Sequence, residues 1–208
     1  MSNLLFDLDG TLVDSSEGII DTFKSTFERL SIPCPSDTIL STYIGPPLET
    51  TFSNYFNNQK DIDLAISYFR TFYKDKGVHQ VTLYNDVKKL LTSLQSKNFD
   101  LFVTTSKFEP MAKQMLKELE VDQYFKAIYG SQENRFLKTD VINACLIGQN
   151  IDNHQAIIIG DTKFDMIGGK NANINRLGVT WGFGTEEELL SNGAEIIAHQ
   201  PLEILTLI

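Results

Sequence analysis

Apolar residues fall in short unbroken runs along the chain, and between the runs apolar positions recur every three or four residues. Leu4 to Phe6 is the first run, Leu101 to Val103 the second, Ala127 to Tyr129 the third and Ala156 to Ile159 the fourth. A weaker fifth strand is expected over Leu177-Gly178-Val179-Thr180-Trp181, where the β-branched and aromatic residues suit a pleated surface and Gly178 opposes it. Helical spacing appears in Ile19, Ile20, Phe23, Phe27 and Leu30 after a Ser15-Ser16 pair able to cap them. It returns in Val87, Leu90, Leu91 and Leu94, in Met111, Met115, Leu116 and Leu119, and in Val141, Ile142, Cys145 and Leu146. Strand runs alternating with helices predict an α/β fold with a parallel, Rossmann-like sheet.

One interval breaks the pattern. A crossover helix needs about a dozen residues, yet most of a hundred separate the first strand from Leu101. Ile19 to Leu30, Leu48 to Phe56 and Ile62 to Tyr73 read as amphipathic helices, the last stopped near Gly77. An inserted helical subdomain over residues 16–82 is therefore expected, with 1–15 and 83–208 forming the α/β core. Phe23, Phe27, Tyr43, Phe52, Tyr55, Phe56, Tyr68, Phe69, Phe72 and Tyr73 would give the insertion a core of its own.

Three strand runs end in polar residues: Phe6 leads to Asp7-Leu8-Asp9, Val103 to Thr104-Thr105-Ser106-Lys107, and Ile159 to Gly160-Asp161. Carboxyl ends of parallel strands share one edge of the sheet, so these groups converge where ligands bind. Alternation puts Asp7 and Asp9 on one side, and Gly10 permits a tight departure bringing backbone N–H groups towards an anion. Like carboxylates repel unless a cation or proton lies between them. Asp161 and Asp165, in GDTKFD, form a second acidic pair. Hard oxygens without His or Cys favour Mg²⁺. Asp14 is expected to cap the first inserted helix.

Charge narrows the partners. The formal net charge of −9 disfavours nucleic acid, and it means that a phosphorylated substrate needs a local cation. Lys138, in NRFLKTDVI ahead of the helix at Val141, is a candidate. Cys34 and Cys145 match no metal-ligand spacing and read as ordinary thiols, while His79, His154 and His199 are scattered. No apolar run reaches membrane-spanning length and no basic leader precedes one, so no membrane association and a cytoplasmic location are expected.

Taken in order, DLDGTLVDS, IGPPLETTF, TTSK, Lys138 and GDTKFD resemble the haloacid dehalogenase superfamily of hydrolases, in its phosphoglycolate-phosphatase-like subgroup with a helical cap. The resemblance implies that Asp7 is the nucleophile and Asp9 the acid and base. It implies that Thr105, Ser106 and Lys138 bind phosphate, and that Asp7, the Asp9 main-chain carbonyl and Asp161 hold Mg²⁺ with Asp165 in support. The insertion matches the family's cap, whose segment carrying Gly45, Pro46 and Glu49 sets substrate choice. A Mg²⁺-dependent phosphatase for a small phosphorylated metabolite, of phosphoglycolate type and working through an aspartyl-phosphate, is the leading expectation. Ser106 in place of a common Asn, Thr139 in place of Pro and YNDV in place of YPGV depart from the subgroup. A phosphosugar mutase shares the chemistry, and a phospho-acceptor signalling domain shares the Asp, Thr and Lys set but is normally far shorter. The sequence leaves the oligomeric state open.

Overall fold

The computed structural model describes residues 2–208. Six strands form one sheet: β1 (Asn3–Phe6), β2 (Asp100–Phe108), β3 (Ala127–Ser131), β4 (Ala156–Gly160), β5 (Asn175–Val179) and β6 (Ile196–Ala198). Their spatial order is β3-β2-β1-β4-β5-β6, and all neighbouring pairs are parallel. The chain thus builds outward from β1 in one direction, then returns to its other side and builds outward again. That reversal places a crevice at the carboxyl ends of the central strands.

Four helices form the insertion: α1 (Ser16–Arg29), α2 (Asp37–Ser41), α3 (Leu48–Phe52) and α4 (Gln59–Asp75). Six belong with the sheet: α5 (Val87–Ser96), α6 (Glu109–Glu118), α7 (Lys138–Gln149), α8 (Lys163–Asn171), α9 (Glu186–Ser191) and α10 (Ile204–Leu207). The chain divides into two compact units, one made of the residues up to Asp14 with Leu83–Ile208, the other Ser15–Thr82.

In the first unit, every residue of β1 and β4 is buried. Strands covered on both faces cannot alternate apolar with polar residues, which explains the unbroken runs. Helix α7 packs on β2 and β3, and α8 on β4 and β5. Leu5, Phe102, Ile142, Cys145, Ile158 and Ile174 share one core cluster, so Cys145 is a packing residue. Cys34 is exposed, and both thiols are free.

In the second unit, aromatic rings do the packing. The Phe23 ring lies 4.7 Å from Phe69, 5.4 Å from Tyr43 and 5.9 Å from Phe52, centroid to centroid. Helix α1 meets the turn after α4 so closely that a Cβ on Gly18 would stand 2.2 Å from the Gly77 carbonyl oxygen. Only glycine fits there.

Several elements differ from their expected form. Strand β2 runs on to Phe108, with a register shift against β3 between Thr104 and Phe108. Strand β5 ends at Val179, leaving Trp181 outside it, and β6 and α2 were not foreseen. Helix α3 stops at Phe52 rather than Phe56, because Ser53 and Asn54 favour turns over helix interiors. Ser15, not Asp14, takes the N-cap position of α1, and its side chain makes no capping hydrogen bond. Among the described residues no helix is long and apolar enough to cross a membrane.

Candidate active site

Asp7 follows β1 directly and extends its ladder, its N–H donating to the Ile159 carbonyl at 2.9 Å. The next residues fold back: Leu12 and Val13 donate to the Leu8 carbonyl and Gly10 to the Val13 carbonyl. Gly10 sits in the left-handed region, at φ 83°, and a Cβ there would lie 2.1 Å from Asp161 Oδ2. Glycine is thus required both by conformation and by space. The N–H groups of Gly10, Thr11, Leu12 and Val13 are all taken by Val13 and Leu8 carbonyls, so these four are committed within the turn.

Lys138, the first residue of α7, reaches this edge and is 6% exposed. Its ammonium lies 2.7 Å from Asp7 Oδ1, 2.7 Å from Asp165 Oδ1 and donates to the Thr104 carbonyl at 3.0 Å. Three acceptors match the three donors of an ammonium. Burial alone would discharge it, but the Asp165 and Asp7 carboxylates outweigh burial and raise its pKa.

Asp165 is fixed through both oxygens in different ways. Its Oδ2 accepts from the Thr162 N–H at 3.0 Å and the Thr162 hydroxyl at 2.8 Å, closing the start of α8, while Oδ1 faces Lys138. Asp161 is held from two sides: Oδ1 accepts from the Thr11 hydroxyl at 2.9 Å, Oδ2 from the Phe183 N–H at 2.8 Å. The segment Trp181 to Gly184 straps this region, with the Trp181 indole donating to the Thr11 carbonyl at 3.0 Å and the Gly184 N–H to the Asp161 carbonyl at 3.1 Å. The sequence reading did not include this strap in the site. Its signal was the close pair Gly182 and Gly184, where a Cβ would collide with Gly10 and Asp161.

One oxygen each from Asp7, Asp161 and Asp165 lies within 4.8 Å of the others. One ammonium cannot balance three buried carboxylates. Burial pushes the Asp7 carboxyl up to about 7, against the pull of Lys138, and burial with the Asp165 and Asp7 charges holds Asp161 well above the usual range. Excess negative charge among hard oxygens fits a divalent cation.

Asp9 is not one of these three carboxylates, although its charge adds to theirs at Asp7. Its Oδ2 lies 3.1 Å from Lys107 Nζ, in an ion pair with both side chains largely buried. Sequence reasoning noted Lys107 only as one of the polar residues closing the second strand. Thr105 is buried and its hydroxyl accepts from the Lys107 N–H at 3.1 Å. The Ser106 hydroxyl is buried without a hydrogen-bond partner, as a group awaiting a ligand would be. Gly45, Pro46 and Glu49 lie in the second unit, Gly45 at φ 105° and Glu49 in the first turn of α3, 3.7 Å from Arg70 of α4.

The family profile of haloacid dehalogenase-like hydrolases matches residues 4–179. This chain belongs to that family. Among solved structures, this hydrolase is similar to a haloacid dehalogenase-like hydrolase from Streptococcus pneumoniae, with 41% identity, a TM-score of 0.92 and coverage of 99% of this chain and 97% of the other. A "predicted phosphatase" from Clostridium acetobutylicum is 38% identical with a TM-score of 0.94, covering 99% of each. A Pseudomonas aeruginosa protein named 5'-nucleotidase is 33% identical over 202 residues, 96% of this chain and 88% of that protein.

Proposed function

We propose that this hydrolase is a Mg²⁺-dependent phosphatase acting on a small phosphomonoester through a covalent phosphoryl group on Asp7. The placement of Asp7 carries this reading: a buried carboxylate at the carboxyl end of the central strand, one oxygen held by Lys138, beside Asp161 and Asp165. Relatives named for phosphatase and 5'-nucleotidase activity support phosphoester hydrolysis.

In this reading an Asp7 oxygen attacks phosphorus. The new O–P bond forms as the bond to the alcohol oxygen breaks, and that oxygen leaves with its electron pair and a proton from Asp9. Water then attacks the acyl phosphate and gives a proton to the Asp9 carboxylate, the bond to Asp7 breaks, and inorganic phosphate departs. Thr105 and Ser106 bind the phosphate, and Lys138 acts through its charge while its donors hold Asp7, Asp165 and Thr104 in place. Held by Asp7, Asp161 and the Asp9 carbonyl, Mg²⁺ would supply the positive charge that lets a carboxylate meet a phosphate dianion. Gly45, Pro46 and Glu49 are assigned to substrate choice.

Turnover of p-nitrophenyl phosphate with and without Mg²⁺, followed by acid quench and mass analysis of the Asp7 peptide, tests the proposal. A phosphoryl mass on that peptide is expected. Full activity in Asp7→Asn, or turnover indifferent to Mg²⁺ removal, would overturn it.

A further inference from the structure

Lys107 is a buried cation that the mechanism above does not use. It lies where β2 shifts register against β3, and its backbone is fixed from several sides. Its N–H donates to Thr105 Oγ1, and its carbonyl crowds Gly130, where a Cβ would stand 2.5 Å away. Beside it, Glu109 accepts from the Gly130 N–H at 3.2 Å and pairs with Arg135, whose Nε donates to the Gly130 carbonyl at 3.1 Å. A braced backbone thus delivers one ammonium to Asp9 Oδ2 at 3.1 Å. Buried ion pairs add little to stability compared with apolar side chains of similar volume, so a role in geometry explains this one better.

We propose that Lys107 is a positioning residue, which fixes the Asp9 side chain so that its proton meets the leaving oxygen. This rests on the reading of Asp9 as acid and base. Phosphoryl transfer to Asp7 requires a proton most when the leaving alcohol is a weak acid and least when it is a strong one. Loss of a correctly aimed proton should therefore grow along a series of aryl phosphates from nitrophenyl to phenyl to methylphenyl, which share a shape and differ in leaving-group acidity.

The experiment measures kcat/KM along this series for Lys107→Met, Lys107→Gln, Lys107→Arg and Asp9→Asn, with thermal unfolding of each variant as the check on folding. Lys107→Met and Lys107→Gln should lose about 10- to 100-fold with phenyl phosphate but less than about 3-fold with nitrophenyl phosphate, and Lys107→Arg should restore most of the loss. Asp9→Asn should show the same dependence, more steeply. A uniform loss across the series in both neutral Lys107 variants, while Asp9→Asn remains dependent on the leaving group, would overturn the role of Lys107 alone. A uniform loss in Asp9→Asn would overturn the reading of Asp9 itself.

Discussion

The two units of this chain are stabilised by different physics. In the inserted unit, Phe23, Phe52 and Phe69 pack ring against ring, the ion pair of Lys24 with Asp37 is solvent-exposed, and that of Glu49 with Arg70 is half-buried. In the α/β unit, aliphatic strands surround β1, yet the end of β1 gathers three buried carboxylates and two lysines. The aromatic rings of the first serve packing. The second places charge where stability gains least from it, and that imbalance singles out the candidate active site.

The contrast can be broken at its charged end first. Asp7→Asn keeps shape and removes the proposed nucleophile, so aryl phosphate turnover should fall about 10⁴-fold or more with a fold intact by circular dichroism. Lys138→Met leaves Asp7 and Asp165 facing each other without a cation, and should destabilise the protein by about 3–5 kcal/mol in denaturant unfolding. In the aromatic unit, Phe23→Ala should cost about 3–5 kcal/mol through cavity formation, with lost amide protection concentrated in residues 15–82. Mg²⁺ at about a hundred times its dissociation constant should stabilise the protein by about 2.7 kcal/mol, and Asp161→Asn should remove most of that gain. Smallest is Glu49→Gln, expected to shift relative kcat/KM among small phosphate esters by about 10-fold or less while leaving stability nearly unchanged.

Sequence reasoning reached the parallel sheet because its central strands are buried on both faces and therefore appear as runs. It missed β6, whose three residues Ile196–Ala198 form a short edge strand that leaves little periodic signal. It ended the second strand at Val103, since Thr104 to Lys107 are polar and extended strand beyond a register shift carries no hydrophobic signature. At the site, residue types at strand ends were legible, but pairings were not. Nothing in the order of residues says that Lys138 divides itself between Asp7, Asp165 and the Thr104 carbonyl, or that Lys107 turns to Asp9. Such choices depend on side-chain reach across the sheet edge. The Gly10 turn adds a requirement that the sequence did not show: the glycine is needed there to admit Asp161.

Trp181 is the sequence's single tryptophan, and its indole N–H joins the Thr11 carbonyl while the Thr11 hydroxyl joins Asp161. A chain of two hydrogen bonds through one residue therefore connects the dominant fluorophore to a carboxylate of the acidic cluster. If a cation binds that cluster, emission from this one known position should change as it loads, giving a label-free titration in the unaltered chain.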